Sequence, residues 1–183
     1  MKNLVRCRAC GYIMAEGDVE DLCPACGLPK TVFEPYKDKV SEQRRKWIDL
    51  HIHPVVVHFP PVSAIGVFFG LLAAQLVGDP WRSYFLGTVE ISLLLMPFTV
   101  LAALVSGFID GRLRFKKVTT PILRKKMIAG IVCFVLSVTL SVIGLTNRYE
   151  SLPVMLALSA GCLACNTYLG RIGSKLMDAI LPG

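Results

Sequence analysis

Long apolar runs separated by short charged segments occupy most of the chain after Val55, whereas residues 1 to about 50 are polar and contain four of the seven cysteines. The apolar runs cover residues 55–77, 85–109, 127–145 and 153–169. Each run is long enough to form a helix across a bilayer, because about 30 Å of hydrocarbon is crossed at about 1.5 Å per residue. The pattern therefore predicts a small polar head followed by an all-α four-helix transmembrane bundle.

The composition agrees with membrane spans. Of the 183 residues, 54% are hydrophobic and 18% are charged, and the mean hydropathy is +0.57. Such a chain is too apolar for a water-soluble domain, so membrane lipid is an expected partner. The formal net charge is +7, but the basic residues lie in blocks beside the apolar runs and do not alternate with aromatic residues. A nucleic-acid partner is therefore not expected.

The distribution of basic residues predicts the orientation of the bundle. Four spans place both ends of the chain on the same side of the membrane. The loops and termini of that side contain Arg44, Arg45, Lys46, Arg112, Arg114, Lys116, Lys117, Arg124, Lys125, Lys126, Arg171 and Lys175. The loops of the other side contain little more than Arg82 and Arg148. Because Lys and Arg concentrate in cytoplasmic loops, we expect a multi-pass protein of the inner membrane with its head and both termini in the cytoplasm. Residues 1–22 have no apolar core of the kind found in signal peptides, which supports this orientation.

Four cysteines in the head have the spacing of a metal site. Cys7, Cys10, Cys23 and Cys26 form the pattern C-x2-C-x12-C-x2-C. Each short spacing allows two neighbouring sulfurs to bind one side of a tetrahedral metal ion. A cytoplasmic location favours metal ligands over disulfides. Geometry alone suits zinc and iron about equally, so a structural zinc ribbon is the alternative to a redox-active iron site.

The residues around these cysteines resemble the rubredoxin-like domain of rubrerythrins. Gly11 and Gly27 follow the second cysteine of each pair, and Pro24 follows Cys23. The resemblance covers residues 5–35 and includes the short loop of twelve residues between the cysteine pairs. It implies a small β domain of two knuckles that binds iron. We expect Tyr12 and Phe33 to belong to the core of this small domain. The diiron half of a rubrerythrin has no counterpart, because the Glu-x-x-His helices of that family are missing.

Three further cysteines, Cys133, Cys162 and Cys165, fall within the apolar runs. Cys162 and Cys165 are three residues apart on one predicted helix and could form a second redox pair. Free cysteines are also common as small buried side chains in helix packing. We therefore expect all three to be packing residues.

All three histidines, His51, His53 and His58, lie at the predicted cytoplasmic end of the first run. This segment resembles a family of multi-helix bacterial membrane proteins whose first span opens with His-Pro-x-x-x-His-Phe-Pro. The second run ends in Ser-Gly-Phe-Ile-Asp at residues 106–110, which also matches. The similarity covers residues 52–173 and implies a haem b carrier or a quinone-linked redox subunit. The chain departs from the family at residues 124–127, where members commonly have a histidine.

A haem b site would use His58, with Met127 or Lys126 as a candidate second ligand, or with His51 or His53 brought inward by the proline-bent approach to the span. His53 and His58 are five residues apart, so on one continuous helix they would diverge by about 140° and could not bind one iron from opposite sides. The missing histidine in the third span therefore leaves the second ligand open.

The alternative to a haem site is a quinone site at the same end of the bundle, which would also include His53. Quinone reduction requires protons as well as electrons, and His53 with Asp110 would form a donor pair. Asp110 could instead cap its helix or pair with Arg112. Glu90 is a charged residue within the second span, which is typical of a proton path or of a buried hydrogen-bond partner.

Taken together, these patterns predict a rubredoxin-like iron domain (residues 1–36), a linker (37–52) and a four-helix transmembrane domain (53–183). We expect a membrane-anchored electron carrier between a cytoplasmic flavoprotein or iron-sulfur oxidoreductase and a membrane acceptor, either haem b or the menaquinone pool. Such a protein would be an electron-transfer subunit of a quinone-linked oxidoreductase complex. The alternative is a zinc-ribbon docking or sensor module on a membrane anchor. The sequence allows either direction of electron flow.

Overall fold

A computed structural model describes residues 3–146 and 150–177 of the chain. Within these ranges the chain divides into two compact units, with the boundary between Arg45 and Lys46. The first unit contains the four-cysteine motif and the second contains the long helices. Arg148, which the sequence placed in a loop on the outer side, lies outside the described residues.

The first unit is built on a small antiparallel sheet. Its strands are β1 (Leu4–Cys7), β2 (Ile13–Ala15) and β3 (Phe33–Tyr36), in the order β2-β1-β3. Short 3-10 turns at Glu16–Asp18 and Lys30–Val32 follow β2 and precede β3. The register pairs Val5 with Met14 on one side and with Pro35 on the other. The first CxxC motif begins at the last residue of β1 and continues into the loop before β2, and the second lies in the loop before β3.

The core of this unit is very small. Its buried apolar side chains include Val5, Cys7 and Cys23. The prediction that Tyr12 belongs to the core is wrong, because its side chain is 43% exposed. Phe33 is half-buried. A domain with so few buried side chains requires a metal ion or another cross-link for stability, because apolar burial alone provides too little free energy.

The second unit consists of helices. They are α1 (Glu42–Asp49), α2 (Ile52–Val56), α3 (Phe59–Leu76), α4 (Trp81–Phe115), α5 (Pro121–Thr146) and α6 (Leu152–Met177). Helix α1 begins in the first unit, lies in the segment predicted as a linker and crosses the boundary. Four helical segments are long and apolar enough to cross a membrane, and the first of them comprises α1, α2 and α3.

The four long helices form a closed bundle, which confirms the predicted fold class. Helix α3 packs against α4, α4 against α5, α5 against α6, and α6 against α3, while α2 packs against α4. Leu71, Leu93, Met96, Leu140 and Met155 form the centre of the core and are fully buried. Large apolar side chains such as those of Phe69, Phe98 and Val135 are exposed on the outside. An outer surface of this kind is suited to contact with lipid.

The helix bounds differ from the predicted runs in two ways. First, the chain is interrupted before α3: His51 has a left-handed conformation with φ of 50°, and α2 is only five residues long. Prolines at the start of α3 are compatible with a helix there, because the first helical N–H groups have no intrahelical partner. Second, helices continue beyond their apolar runs: α4, with 35 residues, at both ends, α5 at its start and α6 at its end. Polar residues can extend a helix past the hydrocarbon, where backbone hydrogen bonding still favours it.

Candidate functional site

Each CxxC motif forms a tight knuckle with the same hydrogen-bond pattern. The backbone N–H of Cys7 donates to the Tyr12 carbonyl at 2.8 Å, and the N–H of Gly11 donates to the Cys7 carbonyl at 2.8 Å. In the second knuckle, the Cys23 N–H donates to Leu28 at 2.7 Å and the Gly27 N–H donates to Cys23 at 2.8 Å. Gly11 and Gly27 have φ of 79° and 73°. Glycine adopts this left-handed conformation without steric cost, so each knuckle can close directly after its second cysteine.

The two knuckles bring four sulfurs into one cluster. The Sγ atoms of Cys7 and Cys26 are 3.8 Å apart, as are those of Cys10 and Cys23, and all four lie within 4.8 Å of one another. A tetrahedral ion with metal–sulfur bonds of about 2.3 Å requires sulfurs about 3.8 Å apart. The donor set therefore fits a single tetrahedral metal, and four thiolates suit iron and zinc alike.

The knuckle backbone polarises the sulfurs. The Cys10 N–H hydrogen-bonds to Cys7 and lowers the pKa of the Cys7 thiol to about 7, against the opposing effect of desolvation. At Cys10 the Tyr12 N–H also lowers the pKa, but desolvation and the other three thiols outweigh it and raise the pKa to about 12. The Leu28 N–H is likewise outweighed at Cys26, whose pKa is raised. Four thiolates at this spacing thus require a cation, and binding that cation releases protons. Metal affinity should therefore fall as the pH falls.

Solvent reaches the cluster from one side. Cys7 and Cys23, the first residues of their motifs, are buried, whereas Cys10 and Cys26 are exposed. Cys7 is the last residue of β1, and Cys23 directly follows Leu22, which pairs with Pro29, whereas Cys10 and Cys26 lie where the knuckles turn. The sulfurs of Cys10 and Cys26 are therefore accessible from outside without any opening of the sheet.

In the second unit, His53 of α2 is held between α4 and α5. Its Nδ1 lies 3.1 Å from Ser106 Oγ, and its Nε2 lies 3.4 Å from Lys126 Nζ. The imidazole also covers Gly107, where an added Cβ would lie 2.8 Å from its Cε1 atom. The sequence singled out His53, but it did not identify Lys126 and Ser106 as its partners. Gly107, which follows Ser106 in the sequence, is a signal that could have indicated close packing of a side chain against α4.

Asp110 and Arg114 complete the polar groups at this end of α4. Both carboxylate oxygens of Asp110 accept hydrogen bonds from Arg114 Nε, at 3.0 and 2.9 Å. This pair lies within electrostatic range of His53 and Lys126. The expected alternative partner, Arg112, is exposed. We name the residues His53, Ser106, Asp110, Arg114 and Lys126 the polar end cluster.

The other predicted membrane residues lie apart from this cluster. His58 and Met127 are exposed, and neither is among the hydrogen-bond partners of His53. Glu90 is also exposed. Gly144 of α5 packs against Leu93, three residues along α4 from Glu90, and α5 ends at Thr146. Glu90 therefore lies at the level where α5 ends, not deep within the bundle.

The three cysteines of the helices lie in or beside the core. Cys133 and Cys162 are buried among the central side chains, and Cys165 packs against them half-buried. Their positions are those of packing residues.

In a comparison with known families, residues 6–34 match the family described as rubrerythrin, rubredoxin-like domain. No curated protein and no solved structure matches the chain. The match covers both knuckles and the loop of twelve residues between them, and it agrees with the sulfur geometry. The resemblance of residues 52–173 to the membrane family with the His-Pro-x-x-x-His-Phe-Pro motif stays a prediction. Residues 6–34, which lie within the first unit, therefore match the rubredoxin-like domain of rubrerythrins, and four apolar helices follow them.

Proposed function

We propose that this protein is a membrane-anchored electron carrier in which Cys7, Cys10, Cys23 and Cys26 bind iron. The observation that carries the proposal is the cluster of four sulfurs on two glycine-closed knuckles, within a segment that matches the rubredoxin-like domain of rubrerythrins. Iron bound by four thiolates exchanges one electron with little movement of its ligands. The proposed role is therefore electron relay and not bond formation.

The protein residues have clear roles in this proposal. The four thiolates bind the metal, and backbone N–H groups of Cys10, Tyr12 and Leu28 donate hydrogen bonds to sulfur. Such bonds stabilise negative charge on sulfur and adjust the reduction potential. A partner would contact the head at the exposed Cys10 and Cys26. We propose that this partner is a cytoplasmic flavoprotein or iron-sulfur oxidoreductase.

The long helices would anchor the carrier in the inner membrane. The positive-inside distribution of Lys and Arg supports a cytoplasmic head and cytoplasmic termini. We keep the proposed division into an iron domain (1–36), a linker (37–52) and a transmembrane domain (53–183). In this arrangement the protein would serve a quinone-linked oxidoreductase complex.

The membrane acceptor is either haem b or a quinone, and we favour the quinone. His58 and Met127 are exposed, and neither is a hydrogen-bond partner of His53, so an enclosed pair of haem ligands lacks support. Reducing one quinone to its quinol consumes two electrons, from two successive oxidations of ferrous to ferric iron, and two protons from the surrounding water. The reverse direction balances in the same way.

Metal and haem analysis of the natively isolated, detergent-purified protein tests the proposal. We expect about one iron per chain and a red colour that bleaches on addition of dithionite. One zinc per chain without iron, in colourless protein, would instead support a docking or sensor module on a membrane anchor. A sharp α-band in the reduced-minus-oxidised spectrum would establish haem b as the acceptor, and its loss in His58→Ala would identify His58 as a ligand.

A further inference from the structure

Four helical elements converge at the polar end cluster. His53 comes from α2, Ser106 and Gly107 from α4, and Lys126 from α5. Helix α6 borders the same space, because a Cβ added at Gly173 would lie 3.6 Å from Lys126 Nζ. The Lys126 ammonium is thus directed among the helices. It does not extend outward into water, as the exposed neighbouring Lys125 does.

The hydrogen-bond directions in this cluster follow from the chemistry of its groups. An ammonium has only donors, so Lys126 donates to His53 Nε2. The proton of the imidazole is then on Nδ1, which donates to Ser106 Oγ at 3.1 Å. The Ser106 hydroxyl in turn donates to the Ala103 carbonyl at 3.2 Å. Nε2 is therefore a hydrogen-bond acceptor placed beside a hydrogen-bond donor.

We propose that Lys126 and His53 form the binding site for a quinone head group, an inference that rests on the proposed electron-transfer function. The ammonium of Lys126 would donate to a carbonyl oxygen of the oxidised quinone. In the quinol that oxygen carries a hydrogen, which His53 Nε2 would accept. A donor and an acceptor 3.4 Å apart can thus recognise the same ligand oxygen in both redox forms.

Three features of the cluster support entry of a ligand. The Lys126–His53 bond is 3.4 Å long, whereas N–H donors typically lie about 2.9 Å from their acceptors, so a ligand oxygen would replace a weak contact. His53, Ser106 and Lys126 are half-buried and remain within reach of the surface. Lys126 and Arg114 together carry two positive charges, and Asp110 carries one negative charge. The net positive charge favours binding of an electron-rich ligand oxygen.

Equilibrium binding to the full-length protein in nanodiscs of neutral phosphatidylcholine tests the site. The probe is dimethylnaphthoquinone, a menaquinone analogue whose substituted ring carbons do not add thiols. We expect Lys126→Met to weaken binding at least about tenfold, the cost of one lost charge-assisted hydrogen bond. Lys126→Arg, which keeps the cation, should retain more affinity than Lys126→Met. The matched control is Lys125→Met, which should bind like the wild type.

A second measurement does not depend on the folding of a variant. Bound quinone should protect Lys126 of the wild-type protein from acylation by acetic anhydride, and Lys125 should react equally with and without quinone. Equal binding by Lys126→Met and Lys125→Met, or no protection of Lys126, would overturn the inference. So would displacement of the quinone by phosphatidylglycerol at equal lipid content, because Lys126 would then bind a lipid phosphate.

The quinone site and the proposed function can fail separately. Quinone binding is measured without reference to the metal. A zinc-loaded head with Lys126-dependent quinone binding would overturn the electron-transfer function alone. An iron-loaded head with binding independent of Lys126 would overturn the quinone site alone.

Discussion

The sulfur cluster of the head and the polar end cluster of the helices are both small polar sites, but they are assembled over very different distances along the chain. In the head, the sulfur contacts join residues 19 and 13 positions apart, and each knuckle is closed by its own backbone. In the helical unit, His53 reaches partners 53 and 73 positions away. The first site depends on local turns, whereas the second depends on how the helices pack. Changes to ligands, turns and packing should therefore affect the two sites separately.

The largest effect is expected from removal of one metal ligand. Cys23→Ser replaces a buried thiolate and should reduce metal affinity by more than about 100-fold, beyond the 10–100-fold typical of residues that only support a ligand. The head should then lose its fold, because metal binding supplies most of its stability. Metal per chain and limited proteolysis of residues 3–45 measure the two effects.

Cys165→Ser is the control for this ligand variant. Its thiol is half-buried in the helical unit and should leave the metal content unchanged. A Cys23→Ser protein with full metal content would show that the cluster is not the binding site.

Packing of the polar end cluster should respond to a single methyl group. Gly107→Ala places a Cβ 2.8 Å from His53 Cε1, so the imidazole must shift. We expect a loss of about 1–3 kcal/mol in stability, as for other overpacked sites. Thermal unfolding in detergent, followed by circular dichroism, measures the change.

Gly87→Ala in the same helix provides the matched control. An added Cβ there meets nothing within 4 Å, so the better helix propensity of alanine should raise stability by up to about 1 kcal/mol. Equal melting temperatures of the two variants would argue against close packing of His53 on α4.

The knuckle turns should be sensitive to a methyl group for a different reason. Gly11→Ala meets no neighbour, but its φ of 79° is unfavourable for any residue with a Cβ. We expect the strained backbone to weaken metal binding by about 1–2 kcal/mol. This corresponds to about a 5- to 30-fold loss of metal affinity in competition with a chelator. Gly17→Ala, also in open space but without a positive φ, should bind metal like the wild type. Identical affinities of both variants would contradict the proposed role of the turn.

The smallest effect is expected at the surface of the sheet. Arg6 and Glu34 are cross-strand neighbours joined by an ion pair of 2.6 Å, with side chains 39% and 37% exposed. Glu34→Gln should weaken metal binding by less than about 1 kcal/mol in competition with a chelator, and this loss should shrink in high salt. Asp21→Asn, which breaks a more exposed pair with Lys30, should have no measurable effect in the same chelator competition. A loss of several kcal/mol in Glu34→Gln would mean that the pair has a role beyond surface attraction.

The difference between local and distant assembly also decides what the sequence could predict. The spacing of Cys7, Cys10, Cys23 and Cys26 with Gly11 and Gly27 was enough to predict the knuckles, because each turn is completed within about six residues. Hydrophobic run length predicted the four helices, since the bilayer imposes that length. The contact of His53 with Lys126 was not predictable, because it depends on the rotation of α2 and α5 about their axes. The position of Tyr12 was also missed, since a core this small leaves aromatic side chains outside.

The exposure of Cys10 and Cys26 has a consequence for how the head acquires its metal. A metal ion bound by the four sulfurs would be open to exchange at these outer sulfurs while Cys7 and Cys23 held it, so the sheet would not need to unfold for one ion to replace another. Because four thiolates discriminate little between iron and zinc, the ion found at this site should follow the supply of metal during growth. Cultures supplied with iron should therefore yield red protein, and cultures supplied with zinc should yield colourless protein with the same fold. The physiological ion is identified in protein isolated at its native expression level.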